Sequence, residues 1–105
     1  MVLEETITSI LENSRETRKT LLSGINELDA AISELDGTLR ELDSLMISEN
    51  DNQKKHSLMQ IKSSILQMKS DNLIQLSEAK KSLTILDQAI VLFEKAYQLG
   101  TGDIF

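Results

Sequence analysis

Residues 25–45 repeat one seven-residue unit three times. Ile25, Ile32 and Leu39 open the units, and Glu-Leu-Asp follows at 27–29, 34–36 and 41–43. Apolar residues alternately three and four apart form one stripe on a helix, and that stripe must pack against another helix. The chain is therefore expected among helical interaction proteins. Its 105 residues allow one domain at most.

Composition agrees with long helices. Proline is absent, so no segment is forced to break, and only Phe93, Tyr97 and Phe105 are aromatic. Without cysteine there is neither a disulfide nor a thiolate metal site. No apolar run approaches the roughly 18 residues of a membrane span. The opening Met1-Val2-Leu3-Glu4-Glu5 lacks the basic region of a cleaved leader. The expected location is cytoplasmic, or exported without a cleaved signal peptide.

The net charge is −6 and is unevenly spread. Residues 25–51 hold eight acids against Arg40 alone, whereas 53–69 hold Lys54, Lys55, Lys62 and Lys69 and no acid. A reversal between the blocks sets them face to face. Such exposed pairs contribute about 0.2–1 kcal/mol each, so they select orientation more than they stabilise.

The predicted fold class is all-α, an antiparallel two-helix, coiled-coil-like hairpin that packs with other helices. Its elements are a helix over 3–48, a turn at 49–52, a helix over 53–99 ending at Gly100, and a short tail over 100–105. Ser48 to Asn52 are turn and cap residues, with Asn50 and Gln53 at capping-box spacing. The first stripe reads Leu3, Ile7, Ile10, then Leu21 to Met46. It lapses over the polar residues 13–20, with a stutter before Gly24. The second reads Leu58, Ile61, Ile65, Met68, Leu76 and on to Tyr97, with a stutter at 72–76. The internal seam is expected to hold Ile25, Leu28, Ile32, Leu35, Leu39 and Leu42. A bend at Gly24, giving a compact three- or four-helix bundle, is the alternative.

A two-helix seam hides little, and small scaffolds without disulfides or metals rarely gather more than about 3–5 kcal/mol from one core. Residues 83–93 carry more apolar surface than one stripe can use. The partner face is therefore expected at Leu83, Ile85, Leu86, Ile90, Val91, Leu92 and Phe93. It would bind another helical protein or a second copy of the chain.

Nothing points to catalysis. His56 is the only histidine and has no orienting partner in the sequence. The repeated acids sit at heptad positions used for solvated or interhelical charge. Ser48 to Asn52 lacks the spacing and closing glutamate of a calcium loop. No phosphate loop or hydrolase motif occurs. No cofactor, metal, nucleic acid or small-molecule substrate is expected. Met46, Met59 and Met68 are expected to fill gaps in the seam.

The plan, about 100 residues in an acidic, cysteine-free hairpin, resembles the WXG100-like partner proteins of bacterial type VII secretion. That resemblance implies pairing with the helical targeting domain of an exported toxin. The chain departs from the pattern: its turn has no Trp-x-Gly, and Tyr97 is followed four residues later by Thr101. The same architecture serves type III or flagellar-type export chaperones. It also serves structural coiled-coil subunits of eukaryotic complexes.

Overall fold

The computed structural model describes residues 2–101, with side chains to Leu99. Two helices, α1 over Val2–Ser48 and α2 over Asn52–Thr101, form an antiparallel hairpin. α1 is unbroken through Gly24, and α2 continues through Gly100 instead of stopping there. The expected tail beyond Thr101 lies outside the described residues.

The reversal is made by side chains. Glu49 Oε1 accepts the backbone N–H groups of Asn50 and Asp51 at 3.1 and 3.0 Å. Asp51, not Asn50, caps α2. Its Oδ1 accepts the N–H groups of Gln53 and Lys54 at 2.8 and 3.3 Å, and its carbonyl accepts that of Lys55 at 3.0 Å. A carboxylate here satisfies orphan donors and also complements the positive end of the helix dipole.

The chain packs as two compact units. Unit 1 joins the residues up to Ile25 with those from Glu78 onward, and unit 2 is Asn26–Ser77. In unit 1, Ile7, Leu11 and Ile90 are buried together, with Leu86, Phe93 and Ala96 against them. The polar stretch 13–20 still crosses to α2. Arg15 pairs with Glu94 at 3.4 Å, and Arg18 with Asp87 at 2.7 Å. In unit 2, Leu39, Leu42 and Leu76 are buried, while Leu28, Ile32, Leu35, Leu58 and Ile65 are half-buried.

Burial corrects both expected stutters. Along α1 the repeat steps through Ile7, Leu11, Ser14, Arg18, Leu21, Ile25 and Leu28, alternating four and three, and all of these but the exposed Arg18 are buried or half-buried. Leu11 belongs to this line and Ile10 lies beside it. Ser14 is small, and Arg18 is turned to Asp87, so two polar residues continue the repeat. Along α2 the line runs Lys55, Leu58, Lys62, Ile65, Lys69, Asn72 and Leu76, again without a stutter. Ile61 and Met68 are displaced to the flank and are exposed, as is Met59. Of the three methionines expected to fill the seam, only Met46 is half-buried.

The reason is charge. Lys62 Nζ meets Asp43 Oδ1 at 2.7 Å, and Lys69 Nζ meets Asp36 Oδ1 at 2.6 Å. A lysine stem covers the seam with its methylenes while its ammonium reaches out to the acid. The facing acidic and basic blocks thus meet in the predicted sense.

Three stability outcomes are expected. Gly24→Ala should raise stability by about 1 kcal/mol, because an added Cβ at this helical position meets nothing within 4 Å. Asp51→Ala should lower it by about 1 kcal/mol through loss of the cap. The double change Lys62→Leu and Lys69→Leu should raise the urea midpoint, since polar residues at seam positions specify register at a cost in stability. Urea unfolding followed by circular dichroism measures all three.

Candidate functional site

Unit 1 divides the segment 83–93 between two faces of α2. Leu83, Leu86, Ile90 and Phe93 recur at three- and four-residue steps and face α1, where Ile90 is buried with Ile7 and Leu11. The hairpin itself occupies these four. Ile85, Val91 and Leu92 stay exposed. Ile85 and Leu92 are seven residues apart, and the next such step is Leu99, also exposed. Residues seven apart on a helix share a face, so these three form one line away from the seam. Leu99 was missed by the sequence reading. Its signal is the interval of seven from Leu92.

Charge around this line is partly used. Asp87 and Glu94 are held by Arg18 and Arg15, and Gln88 and Lys95 lie between the apolar residues of the line. The face is therefore an apolar line broken by one amide and one ammonium, suited to another helix more than to a compact ligand. Of the expected seam residues in the hairpin, Ile25, Leu39 and Leu42 are buried, and Leu28, Ile32 and Leu35 are half-buried.

Among the described residues, chemistry-bearing side chains do not converge. His56 is exposed in the first turns of α2. Among the described residues, no three His, Asp or Glu side chains gather as a metal ion would require. No described helix is long and apolar enough to cross a membrane. Compared with family models, curated proteins and solved structures, the chain matches none of them.

Proposed function

We propose that this chain is a non-catalytic helical partner protein whose α2 docks another helix along Ile85, Leu92 and Leu99. The observation that carries this reading is the exposure of Ile85 and Leu92, 65% and 64%, on one helical line. A thin core adds support: no described side chain is less than 2% exposed. Burying such side chains in a partner contributes about 25 cal/mol per Å² of apolar area. The resemblance to WXG100-like proteins suggests the targeting helices of an exported protein as that partner. An export chaperone or a structural subunit would use the same face.

Affinity purification of the full chain from its host, with mass spectrometry, should recover a helical companion. The Ile85→Glu, Leu92→Glu variant should lose it by at least tenfold while keeping its helical circular dichroism. Ile90→Glu, inside the unit 1 core, should instead lower the unfolding midpoint. Full recovery of the companion by the double glutamate variant, or a clean monomer at micromolar concentration from the host, would exclude docking at this face.

A further inference from the structure

Each repeat in unit 2 carries two acids, and the structure gives them different surroundings. Asp36 and Asp43 are engaged by Lys69 and Lys62. Glu27, Glu34 and Glu41, two residues earlier in each repeat, are exposed and form no ion pair among the described residues. In the heptad the aspartates take the e position beside the seam, whereas the glutamates take c, farther round the helix and on the side of g. Two of the three aspartates are neutralised within the chain, and none of the three glutamates is.

The glutamate side also carries unclaimed apolar surface. Ala31, Thr38 and Leu45 border the seam there on α1, one heptad apart, and Ile61 and Met68 border it on α2. At the turn end the two helices share a groove along this flank, lined by Leu45, Ser48, Lys54, Ser57 and Leu58 among others. Leu45, Ile61 and Met68 are 53%, 49% and 53% exposed. The flank is an apolar floor with a row of carboxylates along its α1 edge, spaced by about 10.5 Å for seven residues of helix. Asp71 adds an acid on α2, and Lys54 is a cation of the turn-end groove.

We propose that this flank of unit 2 docks an amphipathic helix whose apolar stripe is bordered by lysine or arginine. The occupant's charge is set by the glutamate row, because an apolar floor edged mainly by acids selects the complementary sign. A nucleic acid is repelled by that rim. A second copy of the chain is the poorer occupant, since it carries a net charge of −6 and would bring like charge to an acidic flank. The site uses residues different from those of the α2 face in unit 1, so each can fail without the other.

The probe is a fluorescent 21-residue helical peptide with leucines on one stripe and lysines bordering it. A control peptide carries glutamates in place of the lysines. Anisotropy titration of the complete chain at low salt should show the lysine peptide binding at least tenfold tighter. The Glu27→Gln, Glu34→Gln, Glu41→Gln variant should weaken it about tenfold, the sum expected for three exposed ion pairs. Added 0.5 M salt should narrow the difference between wild type and variant. Met68→Gln should weaken both peptides, and amide shifts on titration should centre on Leu45, Ile61 and Met68. The Ile85→Glu, Leu92→Glu variant should bind the peptide as wild type does. Equal affinity for the two peptides, an unchanged glutamine variant, shifts centred elsewhere, or a dimer of the chain that masks this flank would each overturn the proposal.

Discussion

Lys62 and Lys69, seven residues apart on α2, set how unit 2 of the hairpin is put together. Lys62 and Lys69 stand where a plain hydrophobic pattern would place Ile61 and Met68. The facing helix brings Asp36 and Asp43 to the edge of the seam, and those acids draw the lysines in. Rotating α2 to bury Ile61 and Met68 would gain apolar contact but carry the ammonium groups away from their partners. The observed rotation keeps Leu58, Ile65 and Leu76 against α1 and leaves Ile61 and Met68 on the flank. Some cohesion is exchanged for a defined alignment, and surface is left over.

That exchange explains what was legible from residue order alone. The heptads of 25–45 carry the two-helix architecture, and the polar cluster at 48–52 marks the reversal. Both follow from local periodicity and turn chemistry, and both are found. The rotation of α2 was not legible, because counting apolar residues treats lysine as an absence. It is a covered side chain when an acid waits beyond it. The stutters arose from the same error. Ser14, Arg18, Lys62 and Lys69 are polar residues that keep the repeat, and without them the count slips by one.

The division of 83–93 between two faces was legible in part. The excess of apolar residues in 83–93 is visible in the sequence. Its division needs a seam to refer to: Leu83, Leu86, Ile90 and Phe93 fall toward α1, and Ile85, Val91 and Leu92 fall away. Leu99 joins them only once the outward line is drawn.

The short reversal at residues 49–51 also orders events in time. Lys62 and Asp43 are 19 residues apart along the chain, whereas Arg15 and Glu94 are 79 apart. Closing the longer loop from an open chain costs about 1.2 kcal/mol more, at about 0.6 for each doubling. Unit 2 is therefore the natural place for zippering to begin, and unit 1 closes afterwards. Fraying takes the reverse course, parting Ile90 from Ile7 and Leu11 first.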